Sequence, residues 1–120
     1  MKTNHAAMSA VQRLHEQAVD LAEKAFSAQR KGDNESAQGL FLHALALEWH
    51  CASLFPATRE SEPTRSVLYR SAASLAYHAQ KYHHADQLIV RGLRGYPPSD
   101  IHEELRALHD IIRCPDRRVS

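Results

Sequence analysis

Seven apolar residues, Ala7, Val11, Leu14, Ala18, Leu21, Ala25 and Ala28, follow one another at steps of 4-3-4-3-4-3. That spacing places all seven on one side of an α-helix and on no single face of a strand. Met8, Ala22 and Phe26 widen the stripe. A chain of 120 residues that opens on such a helix must cover its stripe with further helices. Composition agrees. Ala and Leu dominate with Glu, Gln, Arg and His, β-branched residues are few, and there are only four glycines. A length of this order holds one domain with one modest core.

The punctuation fits the same reading. Lys31-Gly32-Asp33 ends the first helix: Gly32 suits the left-handed cap, and Asp33 or Asn34 can cap the next N-terminus. A second helix carries Ala37, Leu40, Phe41, Ala44, Leu45, Leu47, Cys51, Ala52, Leu54 and Phe55 inward and stops before Pro56. Residues 57–61 connect it to a third helix, with Ser61 as N-cap and Pro63 in the first turn. This helix runs to about Ala79 with Val67, Leu68, Ala72, Leu75, Ala76 and Ala79 inward. A fourth spans about His83 to Gly95, carrying Ala85, Leu88, Ile89, Gly92 and Leu93. After Tyr96-Pro97-Pro98, Ser99 or Asp100 caps a fifth helix, with Ile101, Leu105, Leu108 and Ile112 on one side. The expected fold is all-α: two antiparallel helical hairpins and a C-terminal capping helix in a single domain over 1–113, followed by a tail over 114–120.

The two hairpins align with each other. Gly32 falls on Gln80, Ala37 on Ala85, Phe41 on Ile89, Ala44 on Gly92 and Leu45 on Leu93, all 48 residues apart. Short side chains at Ala73, Ala85 and Gly92 allow two helices to approach closely, with Leu75, Leu88, Ile89 and Leu93 filling the space beside them. This small–large–small–Leu spacing resembles the tetratricopeptide repeat, with Tyr82 as the aromatic before the second helix, Ala73 as the small residue of the first, and Pro97 as the closing proline. The resemblance covers residues 19–98. The stretch EPTRSVLYRSAASLA is also similar to a recurrent bacterial hairpin protein, which implies a bacterial source.

Tetratricopeptide proteins bind peptides and partner proteins in a groove lined by the first helix of each repeat. The resemblance implies a groove lined by Val19, Ala22, Glu23, Phe26, Gln29 and Arg30 from the first unit. The second would supply Val67, Arg70, Ser71, Ser74, Tyr77 and His78. Ala22 and Phe26 stand where the family's carboxylate clamp has Lys and Asn, so a generic groove is implied and the clamp is not. Arg70, Ser74 and Tyr77 would give polar contacts and Phe26 an apolar anchor. Arg70, Arg91 and Arg94, all on the second hairpin, are expected near one end of it as an anion-recognising patch. The partner-binding candidates are therefore Phe26, Gln29, Arg30, Arg70, Ser74, Tyr77, His78, Arg91 and Arg94.

Other chemistries find less support. His78, His83 and His84 bracket one turn and could converge on a metal ion, which makes a small metal- or pH-responsive regulator the alternative function. No fourth ligand, HExxH or CxxC accompanies them. No GxSxG and no phosphate-binding glycine loop is present, and Glu103-Glu104 read as a solvated face. Trp49 is expected to pack on the first helix, and His50 and Cys51 point about 100° apart. The expectation is a non-enzyme without cofactor. Formal net charge is +1, with five Lys/Arg against six Asp/Glu in residues 1–56 and ten against eight in 57–120. That even spread argues against nucleic acid, including through Arg117-Arg118. No apolar run reaches membrane-spanning length, and the N-terminal residues lack a signal peptide's apolar core. A cytoplasmic location is expected, with Cys51 a buried thiol rather than half of a Cys51–Cys114 disulfide. The wide stripes on the first two helices lead us to expect a homodimer or a subunit of a larger complex.

Overall fold

The computed structural model describes residues 2–114, with side chains from Ser9 onward. All regular elements among them are helical. They are α1 (Lys2–Arg30), α2 (Asn34–Ser53), a 3₁₀ turn at Arg59–Ser61, α3 (Thr64–His78), α4 (Tyr82–Leu93) and α5 (Ser99–Arg113). The tail expected over 114–120 lies outside the described residues apart from Cys114, and so do Arg117 and Arg118.

α1 packs on α2, α2 on α3 and α3 on α4, and α5 closes against both α3 and α4. From Val11 on, the first-helix stripe behaves as its period requires; the side chains of Ala7 and Met8 lie outside the described residues. Val11, Ala18 and Ala25, seven residues apart, are buried, and Leu14, Leu21 and Ala28 flank them half-buried. α3 lies at the centre and is buried on two sides. Ala72, Ala73 and Ala76 are all 0% exposed, so alanine is the residue that fits between α2 and α4. Ala85 is equally buried. A Cβ on Gly92 would lie 3.1 Å from Leu105 Cδ1 and 3.2 Å from Tyr69 Cβ, so the missing side chain is what lets α3, α4 and α5 meet.

The two hairpins close with the same turn. At the first, Asp33 N–H donates to Ala28 O and Gly32 N–H to Gln29 O, with Gly32 at φ +82°. At the second, Lys81 N–H donates to Ala76 O and Gln80 N–H to Tyr77 O, with Gln80 at φ +64°. Each donor and acceptor is displaced by 48 residues, the offset of the sequence alignment. The left-handed cap thus survives the loss of glycine, and Gln80 carries the steric cost. Asp33 caps α2 by accepting from Ser36 N–H, whereas Lys81 offers α4 no side-chain cap. Gln38 Nε2 donates to Ala79 O at 2.9 Å and ties the two turns together.

Several boundaries differ from expectation. α2 ends at Ser53 rather than Phe55, and α4 at Leu93 rather than Gly95. Ser61 does not cap α3. It closes the 3₁₀ turn, and Glu62 reaches over the helix start instead: its Oε1 accepts from Ser66 N–H at 3.1 Å and its Oε2 from Tyr96 N–H at 3.0 Å. A longer carboxylate side chain can therefore cap and anchor the 94–96 loop at once. Neither Ser99 nor Asp100 caps α5, because the helix begins at Ser99 itself with Pro98 before it.

Candidate functional site

Each hairpin is internally tight, but α1 and α3 stand apart. Between them runs a seam that encloses about 460 Å³. Its α1 wall is His15, Ala18, Val19, Ala22, Glu23 and Phe26, one face of the helix at three- and four-residue steps. Its α3 wall is Arg70, Ser71, Ser74, Leu75 and His78, and α5 closes one side with Glu104 and Leu108. α2 runs beneath and contributes Glu48.

Of the groove residues named from sequence, Val19, Ala22, Glu23, Phe26, Arg70, Ser71, Ser74 and His78 line this one seam. Gln29 and Tyr77 lie past its end. They line an adjoining depression of about 820 Å³ with Gln38, Phe41, His78 and Tyr82. His78 is shared by both. Its ring stacks on Phe41 at 5.4 Å and meets the edge of Phe26 at 4.9 Å. Burial lowers its pKa, which favours the neutral ring. Arg30 is exposed and borders neither depression.

The arginines do not gather. Arg70 faces the seam and is ion-paired to Glu104 at 2.7 Å. Arg91 and Arg94 lie on another face, in a shallow depression of about 290 Å³ with Trp49, His84 and Asp86. Among the described residues neither forms an ion pair, because Asp86 faces His109 at 3.3 Å and Arg113 at 3.4 Å. Arg65 is buried at the start of α3 with its guanidinium over the Tyr69 ring. Hairpin topology places these positions at similar heights, but helical phase sends them to different sides.

The histidine turn is also dispersed. His78 faces the aromatic cluster, His84 meets Trp49 edge-on at 4.5 Å, and His83 is exposed. Among the described residues no group of three His, Cys, Asp or Glu is placed to hold a metal ion. Trp49 is turned toward α4 rather than packed on α1, and stays 41% exposed. Cys51 is buried with its Sγ 3.8 Å from Val11 O, and Cys114 is exposed, both as free thiols. No described helix is long and apolar enough to cross a membrane.

The residues that sequence reasoning missed are His15 and Glu48. Glu48 is 2% exposed, at the bottom of the seam. His15 Nδ1 lies 2.9 Å and 3.0 Å from its two carboxylate oxygens. Burial pushes the Glu48 carboxyl up, and the His15 hydrogen bond and charge oppose this only in part. A signal was present. Phe41, Ala44, Leu45, Glu48, Cys51 and Ala52 form the inward stripe of α2, and one carboxylate stands in the middle of it.

These features define an all-α, helical-hairpin protein with an open seam between the first helices of its hairpins and a buried carboxylate beneath. No protein-family model, no curated protein and no solved structure matches the chain.

Proposed function

We propose that this protein is a non-catalytic interaction module of tetratricopeptide-like type, which takes a segment of a partner protein into the seam between α1 and α3. One observation carries the reading: the walls of the seam come from the first helices of both hairpins, leaving apolar Val19, Ala22 and Phe26 facing polar Arg70, Ser71 and Ser74. The shared turn geometry at a 48-residue offset supports treating the hairpins as two repeats. A concave, largely apolar cleft with a few fixed polar groups is the usual form of a binding site. Free Cys51 and Cys114 accord with a reducing, cytoplasmic setting.

The test is selection of a random dodecapeptide display library on the full-length chain. Recovered peptides should bind the wild-type protein and lose at least tenfold in affinity for Val19→Arg, a substitution at a site already 41% exposed. Peptides that bind Val19→Arg as well as wild type, or recovery of none, would overturn the reading.

A further inference from the structure

We propose that the seam selects a partner segment carrying a basic side chain, lysine or arginine, whose cation sits against the Glu48 carboxylate. This rests on the seam being the binding face. The argument begins with the charges that line it. Arg70 is already matched by Glu104 at 2.7 Å. Glu23 forms no ion pair among the described residues. Glu48 adds a carboxylate that is 2% exposed, and so is held almost out of water. Among the described residues Arg70 is the one Lys or Arg that lines the seam and it is already paired, while the lining His15 is turned onto Glu48, so no cation is left over to receive an acidic group and the carboxylates of Glu23 and Glu48 would repel one.

Glu48 is also incompletely satisfied. An ionised carboxylate offers about four acceptor sites. Among the described residues its one hydrogen-bonding neighbour is His15 Nδ1, a single nitrogen lying between both oxygens, so it brings at most one proton. Burial opposes the ionised form of Glu48, and a carboxylate held this way is costly until further donors reach it. An ammonium or guanidinium brings three to five. The rest of the seam suits the stem of such a side chain, because Ala18, Val19, Ala22 and Leu75 present methyl and methylene surface along the approach.

The occupant is a chain segment rather than a free amine. From His15 to Phe26 the α1 wall spans twelve residues, about 16 Å of helix, which exceeds the length of one side chain. Beyond His78 the adjoining depression continues the track.

The experiment records ¹H–¹⁵N correlation spectra of the full chain against three probes: the N-acetyl methylamides of lysine, norleucine and glutamate. The lysine probe is expected to shift the amide signals of Ala18, Ala22, Ser71 and Ser74 at concentrations at least threefold lower than norleucine, with glutamate weakest. Glu48→Gln should erase the advantage of lysine while leaving norleucine unchanged. Val19→Arg, at a site 41% exposed, should erase it by repulsion even if Glu48→Gln fails to fold. Equal titration by lysine and norleucine, or a lysine advantage that persists in both variants, overturns the inference and leaves the seam as an apolar binding face. Absence of shifts at the seam from every probe also overturns the inference, while the peptide selection decides separately whether the seam is the binding face.

Discussion

His15 Nδ1 bridges the two carboxylate oxygens of Glu48 at 2.9 Å and 3.0 Å, joining α1 to α2 across 33 positions. Removing the imidazole strands a buried carboxylate, so His15→Ala is expected to lower stability by about 1–3 kcal/mol. The pH dependence has a definite sign. Burial raises the Glu48 pKa above its ordinary 4.5, so the folded state holds this proton more tightly than the unfolded state. The resulting stabilisation is fully present below the ordinary value and is lost as pH rises through the raised one. Urea unfolding of Glu48→Gln should therefore gain on wild type as pH climbs through that window. A gap between the two proteins that stays constant there would contradict the account.

Gly39 and Gly92 both lie inside helices, yet alanine should affect them oppositely. A Cβ at Gly39 meets nothing within 4 Å, so Gly39→Ala should stabilise by about 0.5–1 kcal/mol through helix propensity. At Gly92 the same atom meets Leu105 Cδ1 and Tyr69 Cβ at 3.1 Å and 3.2 Å. The leucine methyl can turn away, but Tyr69 Cβ moves only with its backbone. Gly92→Ala is expected to be net destabilising by about 1 kcal/mol, because overpacking outweighs the propensity gain. Thermal unfolding of both variants checks the opposite signs.

Gln80 holds a left-handed conformation at φ +64° where the equivalent turn has Gly32. Gln80→Gly should raise stability by about 0.5–1 kcal/mol, the relief of steric strain being reduced by the greater freedom of glycine in the unfolded chain. Gly32→Ala should do the reverse, although nothing lies within 4 Å of its Cβ position.

The thiols should separate by rate. Cys51 is 0% exposed, and burial, with the nearby Glu48 charge, pushes its pKa up, while Cys114 is exposed. Reaction with a chromogenic disulfide reagent should label Cys114 promptly and Cys51 only on unfolding. Prompt labelling of both would mean that α1 does not cover α2 as described.

Most of the fold was legible because apolar period and turn residues are local signals. The stripe from Val11 to Ala28, the Gly32 cap and the break at residues 96–98 each needed only their neighbours in sequence. The residues lining the seam were reached only through the tetratricopeptide resemblance, because register within a hairpin does not say which helices of two hairpins face each other. What failed depended on helical phase and side-chain reach. The phase of α3 turns Arg70 into the seam while that of α4 turns Arg91 and Arg94 together onto another face, and Trp49 chose α4 over α1 on the same ground. Glu62 displaced Ser61 as the cap because its longer chain also reaches Tyr96. Glu48 was visible as a charge within an apolar stripe, but His15, its partner, is named only by packing.

Site-specific photocrosslinking in host-cell lysate tests the central claim most directly. Val19 and Trp49 are each 41% exposed, one on the seam and one on the α2–α4 face, so a photoreactive side chain at either site samples solvent equally. The account predicts a discrete protein adduct from position 19, attached beside a lysine or arginine and lost when Ser74→Arg fills the seam. Adducts from position 49 with none from position 19 would contradict it.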